Sequence, residues 1–232
     1  MTVAERWRAV LGRVAHAAAH AGRRPDEVTV VAAAKTFGAP VVAEAIAAGV
    51  RDIGENYVQE AIAKQGAIGM SPARWHLIGR LQRNKTTRAV EAFDWIHTLD
   101  SVALADSLGR AGERAGKTVR CLIEVNLAAE ATKAGVLPER LEELATAMAG
   151  RPGMSIEGLM TIPPRVERAE ESRRHFARLR ELLERLSRLR LPGVQPKELS
   201  MGMSADYEVA VEEGATFVRI GTALFGARKI SR

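Results

Sequence analysis

The chain has 232 residues, a length that fits one large α/β domain or two small ones. Apolar residues make up 47% of it, enough to bury a substantial core, which excludes an intrinsically disordered chain. The net charge is +6, yet aromatic residues are only 4%, so a base-stacking platform is not expected and nucleic acid is not a partner.

The N-terminus opens an amphipathic helix over residues 4–21, without the apolar block of a secretory signal. No apolar run approaches the ~20 residues of a membrane span, so the expected location is the cytoplasm, with no membrane contact. The single cysteine, Cys121, excludes an internal disulfide and reads as a small core residue. The first helix is expected to plug or cover the bottom of the fold that follows.

The first strand spans residues 28–34 and ends in Lys35, just before the break Thr36-Phe37-Gly38-Ala39-Pro40. A lysine at that point is expected to be half desolvated and to face the space above a sheet. Burial disfavours the ammonium form and makes the amine a nucleophile that can capture an aldehyde. On this strand alone, a lysine whose stem packs on the core while its head reaches solvent explains the pattern without chemistry.

Further strands are expected over residues 51–53, 74–78, 95–98, 118–126, 155–161, 198–200 and 217–220. Helical spacing of apolar residues separates them over 40–48, 57–67, 83–92, 101–115, 138–149, 167–190 and 205–213. Gly49, Gly116, Gly150 and Gly214 follow helices as left-handed stops, and Ser101 and Ser204 read as N-caps. Arginines from Arg165 to Arg190 alternate with Glu167, Glu170, Glu171, Glu181 and Glu184, which reads as a solvated, salt-bridged helix face. Strict strand–helix alternation implies a parallel sheet, and eight units imply a single (β/α)8 TIM barrel over residues 1–232 with an extra N-terminal helix. An open doubly wound sheet is the alternative, but its Gly-x-Gly-x-x-Gly turn is missing.

In a barrel, function sits at the carboxyl ends of the strands. Those exits carry Lys35, Glu55, Asn56, His76, Arg80, His97, Asp100, Asn126, Thr161, Ser200, Arg219, Gly221 and Thr222. The last two loops, Ser200-Met201-Gly202-Met203-Ser204 and Arg219-Ile220-Gly221-Thr222-Ala223, lie where barrels bind phosphate with glycine backbone and hydroxyls. His76 reads as a satisfied structural histidine, and no cluster has metal-ligand spacing.

Six segments carry a resemblance. They are Val31-Ala32-Ala33-Ala34-Lys35-Thr36, Gly54-Glu55-Asn56-Tyr57-Val58-Gln59-Glu60, the run from Trp75 to Lys85, Gly158-Leu159-Met160-Thr161-Ile162, the run from Leu199 to Tyr207, and the run from Val218 to Gly226. In order and spacing they resemble the YggS/PROSC family of pyridoxal-phosphate homeostasis proteins, across nearly the full chain. The resemblance implies a barrel of the alanine racemase N-terminal type carrying pyridoxal 5'-phosphate. Lys35 would hold the cofactor as a Schiff base, and Ser200, Gly221 and Thr222 would bind its phosphate with support from Ser204 and the backbone of Met201 and Gly202. Arg219 would face the pyridine nitrogen, and Asn56 and His76 would line the ring side. The family is associated with control of free pyridoxal phosphate and with amino- and keto-acid balance.

An arginine at the ring nitrogen favours the unprotonated ring, a weaker electron sink than an aspartate partner gives. Tyr57 and Tyr207 are the only tyrosines, and both fall in helical segments, so a second catalytic base is not evident. The expected role is therefore a monomeric carrier or buffer, with apo-enzymes dependent on the cofactor as expected partners, rather than an enzyme. The alternative is a weak amino-acid racemase. Lys133, in the loop after the fifth strand, is a further lysine that could relay the aldehyde or simply be solvated.

Overall fold

The structure, a computed structural model, describes residues 1–130, 133–164 and 166–226. Ala131 and Thr132 beside Lys133, Arg165 at the head of the charged segment and the tail 227–232 lie outside the described residues. Eight parallel strands close into a barrel in sequence order. They are β1 Thr29–Ala33, β2 Asp52–Glu55, β3 Arg74–Leu77, β4 Trp95–Leu99, β5 Val119–Glu124, β6 Met154–Met160, β7 Val194–Met203 and β8 Phe217–Ile220.

Helices alternate with them, after α1 Val3–His20: α2 Ala39–Ala47, α3 Val58–Ile68, α4 Thr86–Ala92, α5 Val102–Ala115, α6 Leu141–Met148, α7 Arg173–Arg188, α8 Tyr207–Glu212 and α9 Thr222–Phe225. Short 3-10 turns lead into α4, α6 and α7, so the charged helix starts later than its charge pattern suggests. Among the described residues, no helix is long and apolar enough to cross a membrane.

The core is in two parts. Val31, Ala33, Ile78, Trp95, Leu122, Met160 and Phe217 fill the inside of the barrel. A larger cluster joins the outer faces of the strands to the helices, including Phe176, Leu179, Leu182 and Leu186 of α7. The polar face of α7 is tied down by ion pairs from Arg173 to Glu212 and Glu213 and from Arg180 to Glu213.

One expectation fails at α1. It packs on α8, α9 and α2 in the outer ring instead of plugging the bottom. The reason is the brevity of α9, four residues where a full crossover helix would lie. Val3, Trp7, Val10 and Val14 cover that stretch of barrel, and Arg6 Nη1 donates to the Phe225 carbonyl at 3.3 Å. Cys121 is buried in β5, and burial pushes its thiol far up.

Candidate functional site

The carboxyl end of β1 is a tight turn. Phe37 N–H donates to the Ala34 carbonyl at 3.1 Å, with Lys35 and Thr36 between them and Thr36 at φ 72°. The Ala34 carbonyl also accepts from Lys64 Nζ at 3.0 Å, and Lys64 pairs with Glu55 at 2.5 Å. This buried pair from β2 and α3 braces the turn from beneath. Lys35 itself is exposed, which corrects the expectation of a half-desolvated amine. Its strand ends at Ala33, so two residues of turn carry it beyond the packed rim.

The neighbouring loop end offers anion chemistry. β1 and β8 run in register, Val31 beside Arg219 and Ala32 beside Ile220. Gly221 follows at the level of Ala33, whose carbonyl oxygen would lie 3.4 Å from any Cβ at that position. Ser204 Oγ accepts from the N–H groups of Gly221 and Ala223 at 3.2 and 3.3 Å. Ser204 therefore is not the cap of α8, whose N-cap is Asp206. Its hydroxyl and two backbone donors converge where α9 begins, and Thr222 is exposed beside them.

The loop that presents Ser204 is held from behind. Asp206 accepts from Met203 N–H at 2.7 Å and from the Ser172 hydroxyl at 2.9 Å. Gly202 has φ 88°, and a Cβ there would meet the Ala210 Cβ at 2.5 Å and the Tyr207 Cα at 3.0 Å. Only glycine lets β7 turn this close to α8. Met201 is wholly buried beneath the loop.

Two predicted residues lie deeper than the reading required. Ser200 has no exposed surface; its hydroxyl is shared between His97 Nδ1 at 2.9 Å and Arg219 Nη1 at 2.6 Å. It sits under the Ser204 loop, with its hydroxyl committed to His97 and Arg219. His76 is likewise fully buried, between Asp52 at 2.9 Å and His97 at 3.0 Å. It lies below the open space and does not line it. Arg219 is buried as well, with Nη2 donating to the Thr161 carbonyl at 2.8 Å. Burial lowers its guanidinium to about 10, against the pull of Glu124 and Asp206.

The open space above the other half of the mouth is a cavity of about 290 Å³. Asn56, Ile78, Arg80, Glu124, Asn126 and Lys133 contribute to its walls. Gly79 lets the loops after β2 and β3 approach, since a Cβ there would come within 2.5 Å of the Asn56 carbonyl oxygen. Burial pushes the Glu124 carboxyl up to about 7, opposed by Arg219 and Arg80. Lys133 is half-buried and pairs with Glu130 at 2.8 Å. Among the described residues no cluster of His, Cys, Asp or Glu could hold a metal ion.

The structure thus brings together Lys35, Asn56, Ser204, Arg219, Gly221 and Thr222 at one mouth. Sequence reading missed Lys64, Asp52 and Glu124 as parts of this assembly. Lys64 carried no signal because it looks like one more helix-surface cation; Glu124 could have been found as a carboxylate ending an apolar strand.

The model of the alanine racemase N-terminal domain matches residues 8–229. A Pseudomonas aeruginosa protein named pyridoxal phosphate homeostasis protein is 46% identical over 228 residues, 98% of this chain and 96% of that one. The chain belongs to this family. An Aquifex aeolicus member of the same name is 43% identical, covering 99% of this chain and all of its own. The solved structure of PipY from Synechococcus elongatus, with PLP bound, superposes with a TM-score of 0.86 at 39% identity, covering 97% of this chain and 100% of that one. The barrel is accordingly of the alanine racemase N-terminal type.

Proposed function

We propose that this chain binds pyridoxal 5'-phosphate and acts in its homeostasis, as a carrier or buffer, with Lys35 as the covalent anchor. One observation carries the residue assignment. Register pairing of β1 with β8 sets the Lys35 turn beside the Gly221 loop, so an amine and an anion site share one rim. The names of the relatives, and the PLP bound in PipY, support the same ligand. The bound cofactor supplies an aldehyde that a primary amine can capture and a ring that draws electrons.

The residues present fit that group. Ser204, Thr222 and the backbone of Gly221 and Ala223 would hold the phosphate, whose charge suits converging N–H donors. Gly202 and Met201 set the height of the Ser204 loop. Arg219 would face the ring nitrogen, and as a cation it would leave that nitrogen unprotonated. Asn56 would border the ring, while Ser200 and His76 act from below through Arg219.

The whole chain is read as one barrel unit, a monomer in the cytoplasm, and apo-enzymes that use PLP are its expected recipients. A second reading, slow amino-acid racemisation, draws on Glu124. Its carboxyl titrates near neutrality in the cavity beside Asn56, which suits a general acid–base. The test is a PLP titration followed by absorbance in the wild type and in Lys35→Ala, with optical rotation of added alanine followed alongside. Saturable binding that needs Lys35, with no loss of rotation, supports the carrier. Rapid loss of rotation abolished by Glu124→Gln would establish the racemase, and no binding at all would overturn both.

A further inference from the structure

A chain of buried hydrogen bonds crosses the barrel interior from β2 to β8, and its direction is fixed by chemistry. Asp52 accepts from Arg74 Nε at 2.8 Å and Nη2 at 2.9 Å. Burial alone would raise Asp52, but the bonds from His76 and Arg74 outweigh it and hold the carboxyl below its usual value. It is therefore a carboxylate, which only accepts. His76 Nε2 must donate to it, across 2.9 Å.

Burial lowers His76 and lowers His97 further, so both rings are neutral. A neutral imidazole has one donor and one acceptor. With Nε2 donating, His76 Nδ1 accepts, and the donor is His97 Nε2 at 3.0 Å. His97 Nδ1 then accepts from the Ser200 hydroxyl at 2.9 Å. The Ser200 oxygen, its proton committed, offers lone pairs to Arg219 Nη1 at 2.6 Å.

Each bond thus donates toward Asp52, from Arg219 through Ser200, His97 and His76. We propose that His76 and His97 are positioning residues for Arg219, acting through the orientation of the Ser200 hydroxyl. The proposal rests on the reading that Arg219 meets the PLP ring nitrogen. Without His97 as acceptor, the buried Ser200 proton has no partner, and nothing fixes the direction of the lone pairs that Arg219 uses. Packing alone does not require this arrangement, since Trp95 and Phe217 surround the two imidazoles with apolar ring faces. A phenylalanine would fill the same space.

The test has two parts. Heteronuclear NMR of the imidazole nitrogens in the PLP-free protein should find His76 and His97 both protonated on Nε2. A proton on Nδ1 of either ring would overturn the relay. Next, PLP labelled at its pyridine nitrogen is bound to His97→Phe, His97→Asn and Arg219→Ala. His97→Phe should weaken PLP binding about tenfold, the scale on which outer partners of a site act, and should move the ring-nitrogen shift. His97→Asn keeps an acceptor at the Nδ1 position and should recover most of both, which also guards against a folding defect in the first variant. A His97→Phe protein with wild-type affinity and shift, beside an Arg219→Ala protein that changes both, would overturn the positioning role. If Arg219→Ala also leaves the shift unchanged, the placement of Arg219 against PLP fails, and the role of the histidines falls with it.

Discussion

Glu55 and Lys64 form a buried ion pair at 2.5 Å, and the same lysine holds the carbonyl that precedes Lys35. Desolvation raises the Glu55 carboxyl, and its second oxygen has no hydrogen-bond partner among the described residues. Removing one partner of such a pair strands a buried charge, whereas replacing both with apolar groups can be neutral. Lys64→Met should therefore cost about 3–5 kcal/mol, and Glu55→Leu added to it should recover most of that. Urea unfolding of the single and double variants measures this; equal losses in both would contradict it. PLP affinity should stay impaired in the double variant, because the Ala34 carbonyl keeps only the Phe37 N–H and still lacks the Lys64 donor.

The Gly202 backbone sets the height of the anion loop. An alanine there suffers a left-handed φ and a 2.5 Å approach to Ala210 at once. Gly202→Ala should lower PLP affinity at least roughly tenfold by displacing Ser204, in keeping with the sensitivity of sites to small misplacements. Gly66→Ala is the control: nothing lies within 4 Å of a Cβ in that part of α3. It should leave affinity unchanged and add about 0.5–1 kcal/mol of stability. Titration of both variants with PLP separates the two cases.

Glu124 makes stability depend on pH. Its ordinary value is 4.5, and burial raises it to about 7 in the fold. Between those values the folded chain keeps a proton that the unfolded chain has lost, so stability falls as pH rises. Glu124→Gln removes that loss. The variant should match the wild type near pH 4 and exceed it by about 3 kcal/mol at pH 8, a magnitude that follows from the shift. Denaturant melts across this range check the sign, and a gap that widens toward acid would refute it.

Much of the barrel was legible because each strand is a short apolar run and each helix carries an amphipathic stripe. β8 matched its expected bounds, while β7 proved longer because Gln195 and Lys197 hide its start among polar residues. The placement of α1 was not legible: a stripe shows that a face is buried, not against what. The same limit explains Ser200 and His76. Alternation along a strand shows which side chains point into the barrel, but their height depends on strand stagger, which only register between strands sets. Ser200 and His76 read as rim residues and lie within the interior; Ser204 read both as a helix cap and as part of the phosphate loop, and its hydroxyl bonds the Gly221 loop instead of capping α8. Lys35 was found by its isolation after an apolar run, although it is more exposed than that run suggested.

In the proposed function, Lys35 is the residue that captures the aldehyde. Borohydride reduction of the PLP-loaded protein, followed by digestion and peptide mass analysis, tests it most directly. One dominant pyridoxyl-modified peptide is expected, carrying the adduct on Lys35. An adduct on Lys133 or another lysine, with Lys35 unmodified, would contradict it.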